Sequence, residues 1–282
     1  MLLKRKTSAE TLKLQEKYGV PYLVFPSLEN TGLVRHAFST RLGGCSTGDL
    51  ATMNLSSTRG DDPENVKENF QRFGAAVGFD PKDLVLSLQT HTTNVRLVTE
   101  EDRGKGFTRP RDYKDVDGLI TNVPGLVLAT FYADCVPLYF VDPVHRAIGL
   151  SHSGWRGTVN RMGEVTLQRM KEAFGTRPSD VWTAIGPSIC QDCYEVSEDV
   201  AQEFISAFEG WADNRLLYRK ENGKYQLNLW RANELVLLES GVPKDRIAMT
   251  DICTCCNPQV LFSHRDSKGK RGNLGAFLQL LS

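Results

Sequence analysis

The sequence has no excess of charge of either sign: 34 lysines and arginines are matched by 34 aspartates and glutamates over 282 residues. Without a net positive field there is no general attraction to polyanions, so nucleic acid and anionic membrane surfaces are not expected as partners. Long apolar runs are also missing. The strongest, residues 125–133, falls well short of the roughly 20 residues that cross a bilayer. Residues 1–19 carry Lys4, Arg5 and Lys6 and then turn polar, without the apolar core of an export signal, so the expected compartment is the cytoplasm. Internal repeats and low-complexity linkers are absent, so residues 1–282 read as a single domain long enough to bury a core without staples. Histidine is scarce, at five residues, while cysteine numbers seven. In a chain that is not exported, such cysteines stay reduced, bind metal or react more often than they pair.

Apolar patterning predicts a mixed α/β fold. Strand character is expected over 33–40, 84–98, 125–131, 136–141, 147–151, 181–185, 225–229 and 247–253. Helical spacing appears over 64–77, with Asp61 and Asp62 at its start, and over 155–174, 198–208 and 231–239. Ser153 is placed to cap the second of these helices. The charged loop 100–115 is long enough to act as a flap over a site.

Three residues stand where polar chemistry interrupts apolar strands. His91 lies in Gln89-Thr-His-Thr-Thr93, Cys135 in Ala133-Asp-Cys-Val-Pro137, and His152 in Ser151-His-Ser-Gly-Trp-Arg-Gly-Thr158, at a strand-to-helix junction. Two imidazoles and a thiolate would fill three corners of a tetrahedral zinc and leave the fourth open, the catalytic arrangement. The same set without metal makes an imidazole-activated thiolate nucleophile. Taken singly, each residue is equally at home as a packed thiol or a satisfied core histidine. Arg156, at the start of the helix, and Arg41, in Thr40-Arg-Leu-Gly-Gly44, are candidates to hold an oxyanion. Arg59 stands beside Gly60 with Asn54 between the two loop arginines, and is as readily a solvated loop residue. Asp134 could orient a histidine or a ribose hydroxyl, or simply cap its turn. Cys190-Gln-Asp-Cys193 has the spacing of a zinc knuckle, but Cys253-Thr-Cys255-Cys256 fits such a site poorly, so buried or reactive thiols are expected there, with a structural zinc as the second reading. Cys45, His36, His145 and His264 read as structural or surface residues.

The segments Gln89-Thr-His91, Ala133-Asp-Cys-Val-Pro137, His152-Ser-Gly-Trp-Arg-Gly157 and Ala184-Ile-Gly-Pro-Ser-Ile-Cys190 resemble the hallmarks of the YfiH/YlmD family, long labelled laccase-domain or multicopper polyphenol oxidase proteins. Ser39-Thr-Arg-Leu-Gly-Gly44 and Asn54-Leu-Ser56 add to the resemblance, which spans nearly the whole chain. It implies a single-domain, layered α/β (α+β) sandwich with mixed sheets, related to the catalytic domain of cytotoxic necrotizing factor. It also implies that His91, Cys135 and His152 are both the catalytic set and the ligands of zinc, with copper as the alternative metal. The implied activities are phosphorolysis of purine nucleosides (adenosine, inosine, guanosine, methylthioadenosine) and deamination of adenosine. The implied partners are therefore a purine nucleoside and phosphate. The expected substrate-binding residues are Arg156 first, then Arg41, with Asn54, Gln89 and Asp134.

Three other readings compete. A copper-dependent polyphenol oxidase needs more imidazoles than five histidines can supply. A cysteine hydrolase or deamidase would form a covalent adduct on Cys135. A non-catalytic metallothiol protein would bind purines without turnover.

Overall fold

Two six-stranded mixed sheets form the centre of the computed structural model, which describes residues 3–210 and 215–282. Across the first, the order is Lys13–Lys17, Val20–Val24, Val34–Ser39, Leu274–Leu280, Val127–Tyr132, Leu84–Leu86. Across the second it is Ile247–Met249, Trp182–Ile185, Val136–Asp142, Ala147–Ser153, Gly118–Thr121, Val95–Leu97. A small third sheet joins Glu195–Val196, Tyr225–Leu227 and Leu217–Arg219.

The two large sheets share one core, in which Phe38, Leu128 and Leu278 of the first pack with Tyr139, Val141 and Leu150 of the second. The outer face of the first sheet is covered by the helix Pro63–Val77 through Val66, Phe70 and Phe73. That of the second is covered by Met162–Phe174, Glu198–Ala207 and Leu229–Glu239 through Leu167, Phe204 and Leu235. Layers therefore run helix, sheet, sheet, helices. With both faces covered, Val136–Asp142 and Ala147–Ser153 are buried at every position, which is why 136–141 and 147–151 read as continuous rather than alternating apolar runs; Leu274–Leu280 is equally buried.

Three expectations change. The strand expected over 84–98 is two short strands in different sheets, Leu84–Leu86 and Val95–Leu97, because the polar segment around His91 leaves one sheet and crosses to the other. The helix expected over 155–174 breaks into Trp155–Val159 and Met162–Phe174 at Arg161, whose φ of 58° is left-handed. Ser153 caps neither: its hydroxyl bonds Thr158 and Asn233, and Gly154 holds the N-cap position. Asp62 does cap its helix, accepting from the Glu64 amide, a contact worth about 1 kcal/mol. The C-terminal strand Leu274–Leu280, between Val34–Ser39 and Val127–Tyr132, has no counterpart in the patterning described above.

Candidate functional site

Two of the chain's crossings from the first large sheet to the second lie at the same end of the sandwich, and each carries a reactive residue. Leu84–Leu86 and Val127–Tyr132 run parallel in the first sheet; beyond them lie His91 and Cys135 respectively, on the way to the second sheet. His152 comes to the same place from within the second sheet, where Pro137 pairs with His152 and Val136 with Ser153. The tight turn at Cys135 needs a left-handed residue, supplied by Asp134 at φ 91°; His91 itself sits at φ 65°.

The donor atoms of His91, Cys135 and His152 lie within 4.8 Å of one another. Cys135 Sγ is 3.9 Å from His91 Nε2, and the two imidazole rings meet edge to face with centroids 5.0 Å apart. Gly154 makes room for them. A Cβ there would lie 3.0 Å from His91 Cδ2, 3.2 Å from Cys135 Sγ and 3.7 Å from His152 Cε1, against all three side chains.

Asp117 organises the group. Fully buried, its carboxylate accepts from the amides of Thr90, His91 and Thr92 at 3.0–3.1 Å, and from His152 Nδ1 at 2.8 Å. Its backbone carbonyl also accepts from the His152 amide at 2.7 Å. Burial raises the Asp117 carboxyl, but the His152 bond and the amides outweigh it and hold it below the usual range. With Nδ1 committed, His152 keeps Nε2 for the site, the carboxylate–histidine–metal arrangement that orients a ligand. Burial also raises the Cys135 thiol, yet the adjacent His152 and His91 imidazoles carry it down to about 6. His152 shows the reverse: burial lowers it, while the Cys135 thiolate and Asp117 lift it to about 9. A thiolate beside an imidazolium is the favoured metal-free state near neutral pH. Two imidazoles, one thiolate, a fixed tautomer and a cradle kept open by Gly154 fit a zinc ion with one free corner.

Two cavities meet at this group. The larger, about 800 Å³, has His91, Cys135 and His152 at one end, with Phe70, Phe107 and Phe131 among its walls. Arg59, Arg111 and Arg271 also border it. Arg271 carries a buried Nε with no hydrogen-bond partner among the described residues, and burial together with the like charge of Arg59 lowers its pKa to about 10. The smaller cavity, about 270 Å³, shares His91 and Cys135 and adds Asp134, Trp155, Arg156 and Tyr194.

The structure brings some of the expected site residues together and not others. Arg156 borders the smaller cavity, its guanidinium 4.2 Å from the Trp155 ring centroid, but its helix is only five residues long. Gln89 borders the larger cavity while its amide bridges to Phe131, accepting from the backbone N–H and donating to the carbonyl, both at 2.8 Å. Asp134 borders the smaller one, and its carboxylate accepts from the Thr254 hydroxyl and the Arg265 amide. Arg41 and Asn54 border neither cavity. Arg41 donates to the carbonyls of Ala51 and Pro258 and stacks on Phe262; Asn54 is fully buried, donating to Asp61 and accepting from the Asn273 amide. Both are loop braces, a use that an arginine or asparagine beside glycines shares with ligand binding at the level of sequence.

The loop 100–115 walls the larger cavity through Gly106, Phe107, Thr108 and Arg111, and ion pairs from Lys105 to Asp102 and Asp112 fasten it. Asp117, Arg111 and Arg271 escaped the sequence reading; their only local signals are Asp117-Gly118 opening a strand and arginines in polar loops. His36, His145 and Cys45 are structural as expected: His36 Nε2 accepts from the Phe25 amide, His145 pairs with Asp142, and Cys45 lies against Asn65 and Asn69.

Fold and site define a layered α/β protein with a His2Cys metal-type centre at the open end of a two-sheet sandwich. The chain belongs to the YfiH/YlmD family: residues 35–281 match the family described as multi-copper polyphenol oxidoreductase laccase. It is 35% identical over 254 residues to purine nucleoside phosphorylase YlmD of Bacillus subtilis (strain 168), covering 89% of this chain and 90% of that protein. It is 33% identical over 231 residues to adenosine deaminase RL5 of an unknown prokaryotic organism, covering 81% and 87%. The crystal structure of the hypothetical protein YfiH from Bacillus licheniformis superposes with a TM-score of 0.87 at 29% identity, over 95% of this chain and 99% of that one.

Proposed function

We propose that this protein is a purine nucleoside phosphorylase that also deaminates adenosine, with both reactions carried out at His91, Cys135 and His152. The observation that carries this reading is the placement of that group at the end of a cavity walled by aromatic rings and by arginines. At about 800 Å³ the cavity lies in the size range of small-molecule sites. The purine stacks among Phe70, Phe107 and Phe131, and the ribose points toward Cys135. Phosphate lies against Arg271 and Arg59, where an anion relieves two like charges and satisfies a buried donor. Arg156, the choice from sequence, holds the smaller cavity on the other side of Cys135.

In phosphorolysis a phosphate oxygen bonds ribose C1′ as the C1′–N9 bond breaks, and its electron pair leaves with the purine, which takes up a proton. In deamination water adds at C6 and ammonia leaves. His91, Cys135 and His152 would hold a zinc ion, which when bound would supply Lewis acidity to the substrate. Asp117 keeps His152 in the tautomer that both reactions need. Copper suits the same donors, but a site with one thiolate and two imidazoles does not make a multi-copper oxidase. The phosphorylase and deaminase names of the relatives support the reading. The kinship with the cytotoxic necrotizing factor domain, the cytoplasmic compartment and the single domain over 1–282 belong to the same proposal; seven cysteines without a disulfide agree with a reducing compartment.

One observation favours a second reading: a thiol held down to about 6 beside His152 is also an activated nucleophile, as in a cysteine hydrolase. Incubation with adenosine separates the two. One shared site yields adenine only when phosphate is present and inosine without it, and His91→Ala removes both products. A mass increase on Cys135 during turnover would instead establish the thiol hydrolase.

A further inference from the structure

Behind the wall of the smaller cavity, two loops place four thiols against one another. One is 188–194, which follows the strand Trp182–Ile185; the other is 251–257, which follows Ile247–Met249. Those strands are parallel neighbours, so their following loops leave the sheet side by side, and an isolated bridge pairs Ser188 with Cys253. The Sγ atoms of Cys190, Cys193, Cys253 and Cys256 all lie within 4.8 Å of one another. Cys193 is 3.5 Å from Cys256, and Cys190 is 3.9 Å from Cys256.

We propose that these four cysteines form a tetrahedral thiolate site for zinc, separate from the His91 group and structural in role. A zinc ion bonded to four sulfurs at about 2.3 Å holds each pair about 3.8 Å apart, and the separations of 3.5 and 3.9 Å bracket that value. They are far beyond the roughly 2.0 Å of a disulfide. The backbone has the form of two knuckles. The Cys193 and Tyr194 amides donate to the Cys190 carbonyl, the Cys190 amide donates to Cys253 Sγ at 3.2 Å, and the Thr254 amide donates to the Ser188 carbonyl. Asn257 braces the second knuckle by donating to the Cys253 carbonyl. Four thiolates and one zinc would carry two negative charges, and the Lys6 ammonium, paired first with Asp192 between the first two cysteines, also interacts with Cys190 and Cys256.

The placement favours the second of the two sequence readings: Cys253 and Cys256 have the same two-residue gap as Cys190 and Cys193. Cys255, the residue that obscured it, falls outside the set. The site ties three segments together, since Lys4, Arg5 and Lys6 also bond Asn257, Asp251 and Asp192. It also backs the catalytic turn. Thr254 donates to the Asp134 carboxylate and the Ile189 amide to the Asp134 carbonyl, one residue from Cys135.

The test uses full-length protein carrying His91→Ala and Cys135→Ala, so that zinc counted by mass spectrometry reports only this site. The expected content is about one zinc per chain, falling at least roughly tenfold with Cys256→Ser added and unchanged with Cys255→Ser added. Because Cys256→Ser could fail to fold, X-ray absorption on the parent double variant is the second readout, with four sulfurs at about 2.3 Å and no nitrogen or oxygen neighbour expected. Less than about a tenth of a zinc per chain after reconstitution with zinc under reductant, a shell containing nitrogen or oxygen, or an equal loss with Cys255→Ser would overturn the proposal.

Discussion

His152 donates through Nδ1 to the buried Asp117 carboxylate at 2.8 Å, and that contact decides which ring nitrogen faces Cys135. The same carboxylate gathers the amides of Thr90, His91 and Thr92, so one acid fixes two of the three candidate ligands. Asp117→Asn keeps the size but loses the charge and turns one acceptor into a donor. Zinc affinity at the His91 site should fall about 10- to 100-fold, the usual effect of losing such an orienting partner, with phosphorolysis and deamination falling together. Competition with a chromophoric chelator reads the affinity; an unchanged value would remove Asp117 from its orienting role.

Gly154 tests the cradle. In Gly154→Ala the new methyl carbon meets His91 and Cys135 at 3.0 and 3.2 Å. Gly154 itself is at φ −72°, which any residue adopts, so the fold should persist. Both activities should drop on the order of 100-fold, the effect of a displacement of about 1 Å at reacting groups. Circular dichroism and thermal melting check that only the site has changed.

Phosphate recognition separates Arg271 from Arg156. Arg271→Met should raise the KM for phosphate roughly 10- to 100-fold, matching the loss of one or two charge-assisted hydrogen bonds, while adenosine deamination stays within about twofold. Arg156→Ala should leave the phosphate KM nearly unchanged. Initial rates over a phosphate series decide, and the opposite pattern would move phosphate to the smaller cavity.

The titration of Cys135 has a defined sign. Its thiol is lowered to about 6, so the thiolate fraction grows as pH rises through 6 and is nearly complete by neutrality. In metal-stripped protein, alkylation of Cys135 by iodoacetamide should therefore reach half its maximal rate near pH 6. Removing the neighbouring charge with His152→Ala should move that midpoint up toward the ordinary thiol range. A midpoint near 8.5 in the unsubstituted protein would mean that no imidazole acts on the thiol.

His91, Cys135 and His152 were legible because each breaks an apolar run with a polar group, a pattern that survives in one dimension. The strands around them were legible for the same reason, being continuous apolar segments. What joins them was not. Asp117 acts from 26 residues beyond His91 and 35 before His152, through a carboxylate that looks like a strand-opening turn. Arg271 reaches the cavity from a polar loop before the last strand. Arg41 and Asn54 carried the local marks of ligand binding but use their donors on loop carbonyls and a carboxylate. The break at Arg161 needs a left-handed backbone at a residue with no glycine to announce it. The four-thiol cluster was legible as a minority reading for zinc, but not its membership, because its two halves lie 63 residues apart and meet only through parallel neighbouring strands.

Chromatography of inosine incubated with purified protein, with and without phosphate and with Cys135→Ala alongside, tests the central claim most directly. Hypoxanthine and ribose 1-phosphate should form only in the presence of phosphate and only with Cys135 in place. Unchanged inosine under all conditions, or hypoxanthine released equally without phosphate, would contradict it.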